Sequence, residues 1–127
     1  MLPNIIGWDI GGAHLKVAII NNKIISHVQQ LNCPLWKGID ELSACVGVVK
    51  KKVNFENYVH AITMTGELVD CFEDREQGVV SIISEMSNQL SPSLVQYYAG
   101  NEGFISSGQA ITEHNKIASA NWLASTH

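Results

Sequence analysis

The sequence predicts an α/β fold, a mixed five-stranded sheet in the order 3-2-1-4-5 with helices packed on it. Three observations lead to this prediction. Apolar, β-rich runs separated by glycine and asparagine pairs fill the chain up to Gln29. The apolar residues then recur at helical spacing. After that, β runs and helical segments alternate, and strands joined by helical crossovers lie parallel to one another.

The composition is that of one globular domain spanning residues 1–127. The chain has 127 residues, 46% of them hydrophobic and 16% charged, and it can bury a sizeable core. A net charge of −4 counts against a nucleic-acid partner. No stretch is apolar enough to span a membrane and no secretory signal is visible, so we expect a cytoplasmic protein without a membrane partner. The three widely spaced cysteines are expected to be reduced thiols.

The first half of the chain predicts a three-stranded antiparallel meander and one helix. Turns are expected at Gly11-Gly12 and Asn21-Asn22, since such pairs favour hairpins. A helix is expected from about 39 to 52, because acidic residues begin this segment and three lysines end it, as the helix dipole prefers. The three strands are expected at 4–10, 14–20 and 23–29.

The second half predicts two strands and two helices. Glu73 and Asp74 suit the beginning of the second helix, which is expected to end near Ser91-Pro92. Thr112 is expected to cap a last helix from 113 to about 124. The remaining elements are strands at 58–63 and 94–99 and a loop or small hairpin at 100–108. The resulting element order is that of a ribonuclease H-like domain.

The first candidate site is the turn after the first strand. Asp9 lies near the end of an otherwise apolar strand, where a carboxylate needs a partner, a metal or an active-site opening. Gly11 and Gly12 let backbone N–H groups cradle a phosphate, and Lys16 can reach a phosphate from beside the turn. The alternative is a plain hairpin with a capping aspartate, an exposed lysine and a solvated His14.

The second candidate site follows the fourth strand. If this strand lies parallel to the first, its carboxyl end falls beside Asp9, where open α/β sheets bind ligands. Thr65 and Gly66 would supply a hydroxyl and an N–H group. Glu67 would supply a second carboxylate, and with Asp9 it could hold a divalent cation. The alternative is a loop with a solvated carboxylate.

Several other residues are expected to be structural. His60 alternates with apolar residues, which indicates a core or interface histidine. Cys71 has no histidine near it in sequence to activate it. The three tryptophans, Trp8, Trp36 and Trp122, are expected to anchor packing.

Three segments resemble a known family. Residues 7–16, GWDIGGAHLK, resemble the first phosphate motif of the hydantoinase A/oxoprolinase-like branch of the sugar kinase, actin and heat-shock ATPase superfamily. Residues 63–72, TMTGELVDCF, are the more specific match. With ASANW at 118–122, they resemble the methanofuran-biosynthesis synthase subfamily, also described as the tetrahydromethanopterin-linked one-carbon transfer pathway protein. The resemblance runs over nearly the whole chain and implies an actin-like ATPase fold.

The resemblance implies an alkyl (aryl) transfer reaction that serves one-carbon metabolism. Family members join an aminomethylfuran diphosphate to glutamyl-tyramine and release diphosphate, so the surroundings must stabilise the charge of the leaving group. The resemblance implies catalytic roles for Asp9, Lys16 and Glu67, with Mg²⁺ held by Asp9. The residues implied to bind the diphosphate, or a nucleotide, are Gly11, Gly12, Ala13, Thr65 and Gly66.

The length of the chain qualifies this expectation. Family members are more than twice as long and bind phosphates between two halves, so we expect this chain to correspond to the N-terminal half. Activity would then need the second half, a partner chain or a homodimer. One alternative is a truncated, non-catalytic domain that binds a phosphate or nucleotide, or another protein. Others are an ATP-using phosphotransferase-like relative and a metal-dependent, ribonuclease H-like nuclease that uses Asp9 and Glu67.

Overall fold

The computed structural model describes residues 4–65, 72–114 and 117. Within these residues, three single turns of 3₁₀-helix lie between the longer elements, at Leu35–Lys37, Phe55–Asn57 and Gly100–Glu102. The described strands and helices are β1 (Asn4–Ile10), β2 (His14–Asn21), β3 (Ile24–Asn32), α1 (Asp40–Lys50), β4 (Tyr58–Met64), α2 (Arg75–Leu90), β5 (Val95–Tyr98), β6 (Phe104–Ser106) and α3 (Ser107–Thr112).

The strands form one mixed sheet in the order β3-β2-β1-β4-β5-β6. The first three strands are antiparallel neighbours, while β4 is parallel to both β1 and β5. The predicted order of five strands is therefore confirmed. The sixth strand, β6, pairs antiparallel with β5 over three residues, which makes the predicted loop or small hairpin a hairpin. A strand of this length is too short to show a period in the sequence.

A short helix that the sequence did not predict precedes the predicted last helix. α3 begins at Ser107, and Ser106 is its N-cap, with its hydroxyl accepting from Gln109 N. Thr112 lies at the end of this helix, and its hydroxyl donates back to the Gly108 carbonyl at 3.2 Å. Glu113 lies in a turn, and His114 and Ile117 are helical again, so helical residues also occur where the last helix is expected. Most of the predicted span, 113–124, lies outside the described residues.

α2 begins at the predicted position. The Asp74 carboxylate accepts from Gln77 N at 2.8 Å and so satisfies one of the free N–H groups of the first turn. The helix ends at Leu90, just before Ser91-Pro92, as expected. At 16 residues α2 is the longest helix in the described ranges, and no helix there has the length and apolar character needed to cross a membrane.

One face of the sheet packs against the helices and forms the core. Alternate residues of β1, β2, β4 and β5 point to this face, as strand geometry requires. α1 and α2 contribute apolar residues three and four positions apart, which places them on one side of each helix. The fully buried large side chains of the sheet are Ile6, Trp8, Ile10, Leu15, Ile62, Met64 and Tyr97.

The buried tyrosine of β5 is hydrogen-bonded within this core. The Tyr97 hydroxyl donates to the Ile83 carbonyl at 3.0 Å. The hydroxyls of Tyr97, Ser87 and Ser107 form a chain with steps of 2.9 and 2.8 Å, which ties β5 to α2 and α3. Burial raises the pKa of Tyr97 to about 12, while its serine neighbours act in the opposite direction. The tyrosine therefore stays a neutral hydrogen-bonding group.

His60 is a core residue, as predicted. It is fully buried, and its Nδ1 accepts from Trp8 Nε1 at 3.0 Å. The Phe55 ring packs edge-on against both rings, with centroid distances of 5.1 and 5.8 Å to His60 and Trp8. Burial lowers the pKa of His60 to about 4, and the Phe55 backbone opposes this shift. Nε2 has no hydrogen-bond partner among the described residues. The imidazole is therefore neutral at pH 7.

The tryptophan prediction holds for Trp8 and is wrong for Trp36. Trp36 is 56% exposed, and the Lys37 ammonium lies 5.2 Å from its ring centre. The 3₁₀ turn buries the preceding Leu35, which directs the next side chain towards solvent. Trp122 and Cys71 lie outside the described residues.

Candidate functional site

The sheet face opposite the helices carries a polar row across four strands. Gln30, Lys16, Asp9 and Thr63 are successive cross-strand neighbours on β3, β2, β1 and β4. Thr63 Oγ1 donates to Asp9 Oδ1 at 3.3 Å. Lys16 and Asp9 are both exposed, and within the described ranges they form no ion pair at 4 Å or less. Both charges are therefore available to a ligand.

The two predicted halves of the site meet at the end of β1. Thr65 N donates to the Ile10 carbonyl at 2.8 Å, which fixes the end of β4 beside the Gly11 turn. A Cβ on Gly11 would lie 3.2 Å from the His14 carbonyl oxygen and 3.7 Å from Thr65 Oγ1. Close approach therefore favours glycine at position 11. Backbone conformation does not require it, since neither Gly11 nor Gly12 has a positive φ. His14 is exposed, as expected.

The carbonyl groups of the turn are held by the segment after β3. The Gly12 carbonyl accepts from Leu35 N at 3.1 Å, and the Ala13 carbonyl accepts from Cys33 N at 2.8 Å. The N–H groups of Gly12 and Ala13 make no hydrogen bond to any residue that the structure describes. A turn with fixed carbonyls and free N–H groups can receive an anion.

Two predicted site residues are not placed. Gly66 and Glu67 belong to the segment 66–71, which lies outside the described residues. Of the residues predicted to act together, the structure brings Asp9, Lys16 and Thr65 to one edge of the sheet, with the Gly11–Ala13 turn between β1 and β2.

The sequence did not predict a hollow that lies beside the polar row. Gly7 is the cross-strand neighbour of both Ala18 and Ala61, so three small residues lie side by side on the open face. The hollow has a volume of about 280 Å³, and Val28 and Phe104 are among its walls. Each small residue stands two positions from a member of the polar row. That spacing is visible in the sequence, although the cross-strand register is not.

The row beyond the hollow is apolar. Ile5 is paired with Ile20 on one side and Val59 on the other, and Ile25 pairs with Ile20. The open face therefore changes along β1, from branched apolar residues near its beginning, through small residues, to charged residues at its carboxyl end.

The polar edge is compatible with a magnesium ion bound together with a phosphate ligand. Mg²⁺ is commonly held by one or two carboxylates, with waters and phosphate oxygens completing the coordination. Asp9 supplies one carboxylate, Thr63 is its cross-strand neighbour, and Thr65 N donates to the next residue of β1, Ile10. Within residues 4–65, 72–114 and 117, no group of three or more histidine, cysteine or acidic side chains could hold a metal ion alone.

Comparison with known proteins gives one informative match. No family model matches the chain. Over 122 residues, or 94% of its length, the chain is 33% identical to the (4-{4-[2-(gamma-L-glutamylamino)ethyl]phenoxymethyl}furan-2-yl)methanamine synthase of Methanocaldococcus jannaschii. The chain spans 34% of the length of that synthase.

Among solved structures, a Ppx/GppA family member from Aquifex aeolicus aligns with 76% of this chain and 36% of its own. The TM-score is 0.37 and the sequence identity 15%. A likeness of this size is too weak to assign a fold.

Proposed function

We propose that the chain supplies the diphosphate-binding part of a synthase that joins an aminomethylfuran diphosphate to glutamyl-tyramine and releases diphosphate. The observation that carries the proposal is the 33% identity to the Methanocaldococcus jannaschii synthase over 94% of the chain. Because the chain spans 34% of that synthase, it would bind one substrate and would not catalyse the whole reaction alone. The rest of such a synthase or a partner chain would supply the remaining groups.

The product named for that synthase contains an ether between a phenol oxygen and a furanylmethyl carbon. In the proposed reaction the phenol oxygen forms a bond to this methylene carbon. The carbon–oxygen bond to the diphosphate breaks, its electron pair leaves with the diphosphate, and the phenol proton passes to a base. Negative charge grows on the leaving diphosphate, so donors placed around it favour the reaction.

The residues at the end of β1 suit this task. The N–H groups of Gly12 and Ala13 would donate to diphosphate oxygens, and the Lys16 ammonium would offset their charge from the neighbouring strand. Asp9 would hold Mg²⁺, which when bound supplies further positive charge at the leaving group. Thr65 lies against the turn and would close the same side of the site. Glu67 is proposed as the second carboxylate.

The hollow suits the furan part of the substrate. A furan ring is flat and largely apolar, and Gly7, Ala18 and Ala61 leave space for such a ring next to the polar row. A ring in this position would keep its methylene carbon beside the diphosphate held at Lys16 and the turn.

We also propose a ribonuclease H-like, actin-like ATPase assignment for the domain, within the hydantoinase A/oxoprolinase-like branch. The support is the strand order 3-2-1-4-5 with a parallel β1, β4 and β5, together with the motif at residues 7–16. A cytoplasmic location remains a prediction from the sequence.

Calorimetric titration of the 127-residue chain with inorganic diphosphate and with ATP, each with Mg²⁺, tests the proposal. We expect diphosphate to bind in preference to ATP, and we expect binding to be lost in Asp9→Asn and Gly12→Val. Glu56→Gln is the matched control. Glu56 is an exposed acid just before the beginning of β4, whereas the candidate site lies at the end of that strand. Circular dichroism would verify that each variant is folded.

Other results of these experiments would favour other functions. No heat with either ligand, from a folded chain, would favour a non-catalytic interaction domain. A preference for ATP would favour a phosphotransferase-like relative. Mg²⁺-dependent cleavage of RNA would favour a nuclease.

A further inference from the structure

One large aromatic side chain near the candidate site is not part of the core. Trp36 is 56% exposed, and its indole N–H makes no hydrogen bond to any residue that the structure describes. The 3₁₀ turn that carries it is held in place, because Leu35 is fully buried and Lys37 N donates to the Pro34 carbonyl at 2.9 Å. Tryptophan is highly buried on average, and a tryptophan exposed on a fixed backbone is typical of a binding surface.

The backbone brings Trp36 to the carboxyl end of β1. Cys33 N donates to the Ala13 carbonyl and Leu35 N to the Gly12 carbonyl, so the segment after β3 runs antiparallel to the turn between β1 and β2. Trp36 is the next residue in this direction and therefore follows the segment past the Gly12 end of the turn. The N–H groups proposed to bind diphosphate, those of Gly12 and Ala13, belong to the same turn. The tryptophan and the proposed diphosphate site therefore share one edge of the sheet.

Two exposed charges of opposite sign follow Trp36 in the chain. The Lys37 ammonium lies 5.2 Å from the centre of the Trp36 ring, a cation–π contact on one face of the ring that leaves the other face to a ligand. Asp40 is the first residue of α1. Among the described residues, neither Lys37 nor Asp40 forms an ion pair at 4 Å or less. The short segment 36–40 therefore offers an aromatic face, a cation and an anion to a ligand.

We propose that Trp36 and Lys37 bind glutamyl-tyramine, the acceptor of the furanylmethyl group, an inference that rests on the proposed function and deepens it. The phenol ring would stack on the open face of the Trp36 ring, since paired aromatic rings attract each other beyond the area that they bury. The glutamyl group carries a carboxylate and an ammonium at neutral pH, and these would pair with Lys37 and Asp40. Trp36 would thereby hold the phenol oxygen near the methylene carbon from which the diphosphate leaves.

The chemistry of this segment fits the acceptor better than the furan substrate. The furan part of that substrate carries an amine and no carboxylate, which would leave Lys37 without a partner. Its ring also has a proposed place of its own, in the hollow at Gly7. The acceptor instead combines a phenol ring with both signs of charge, which matches the three groups of the segment 36–40.

Calorimetric titration of the 127-residue chain with glutamyl-tyramine, and separately with inorganic diphosphate and Mg²⁺, tests the inference. Trp36→Ala should raise the dissociation constant for glutamyl-tyramine by roughly tenfold, and Trp36→Phe should raise it less. Both variants should bind diphosphate as the unaltered chain does. Leu94→Ala is the matched control, because Leu94 is 58% exposed and lies just before the beginning of β5, away from the carboxyl ends of the strands. Circular dichroism would verify that each variant is folded.

N-acetyltyramine separates the two contacts, because it keeps the phenol ring and carries neither charge. Trp36→Ala should weaken the binding of N-acetyltyramine as well. Lys37→Gln should weaken only glutamyl-tyramine, by roughly two- to fivefold, since an exposed ion pair contributes little. Lys50→Gln, at the far end of α1, is the control for the loss of one positive charge.

Three results would overturn the inference. They are an unaltered chain that does not bind glutamyl-tyramine, binding that Trp36→Ala leaves unchanged, and a Trp36→Ala variant that loses diphosphate binding to the same extent. Because diphosphate is titrated separately, a chain that binds diphosphate and not the acceptor would contradict this inference alone. A chain that does not bind diphosphate would contradict the proposed function.

Discussion

Successive residues of β4 separate the two faces of the sheet. Ile62 and Met64 point towards the helices and are fully buried, whereas Ala61 and Thr63 point to the open face and are partly exposed. On the helix side the neighbours of β4 are apolar side chains of α1 and α2. On the open side its neighbours are Asp9, the Gly7 hollow and solvent.

The two faces also treat polar groups differently. The helix face buries His60 as a neutral group that accepts a hydrogen bond from Trp8. The open face keeps Lys16 and Asp9 side by side, exposed and without an ion pair between them. Stability therefore depends mainly on the helix face, while the opposite face is free to carry charges and small residues that a ligand can use.

The largest difference is expected between neighbouring substitutions on β4. Ile62→Ala should lower the free energy of unfolding by about 3–4 kcal/mol, because it removes buried methylene groups and leaves a cavity. Thr63→Ala should change it by about 1 kcal/mol or less, since it removes one partly exposed hydrogen bond to Asp9. Urea unfolding followed by circular dichroism measures both. Equal losses of stability would show that the two faces of β4 do not differ in their contribution to the fold.

Acidification should also lower the free energy of unfolding, because it protonates a histidine that the helix face buries as a neutral group. The pKa of His60 in the folded chain is about 4, below its ordinary value of 6.5. Between these values the unfolded chain binds a proton at His60 and the folded chain does not. The contribution of His60 to the free energy of unfolding is therefore fully present above pH 6.5 and is lost as the pH falls to 4. The loss from this group should be on the order of 3 kcal/mol.

The control for this prediction is His60→Gln, which keeps a polar side chain on β4 without a group that titrates. Urea unfolding of both proteins at pH 7, 5.5 and 4 separates the contribution of His60 from that of the carboxylates. The unaltered chain should lose more stability than the variant over this range. Equal losses would assign the acid sensitivity to other residues.

Local patterns predicted most of the fold. The bounds of β1 agree with the prediction because the run is apolar and ends at Gly11-Gly12. The end of α2 agrees because Ser91-Pro92 follows it. The elements that were not predicted, β6 and α3, are short. They have three and six residues, too few to show a clear period, and they are held by pairing with β5 and by packing against α2.

The candidate site could be predicted only in part. A parallel β1 and β4 place Thr65 beside the Asp9 strand, and this followed from the element order. The hollow did not follow, because it joins Gly7, Ala18 and Ala61 from three strands and so depends on their register. Local sequence carries little information about register until both neighbouring strands are known.

The smallest expected effect on stability tests the open face directly. A Cβ on Gly7 would meet nothing closer than the Ala18 carbonyl oxygen at 3.9 Å, which is ordinary contact. Gly7→Ala should therefore raise the free energy of unfolding by about 0.5–1 kcal/mol, because alanine loses less backbone entropy in a strand.

The methyl group added by Gly7→Ala also fills part of the hollow. Titration should show weaker binding of the aminomethylfuran diphosphate and unchanged binding of inorganic diphosphate, which does not occupy the hollow. A more stable variant that binds both ligands as before would mean that the hollow does not hold the furan ring.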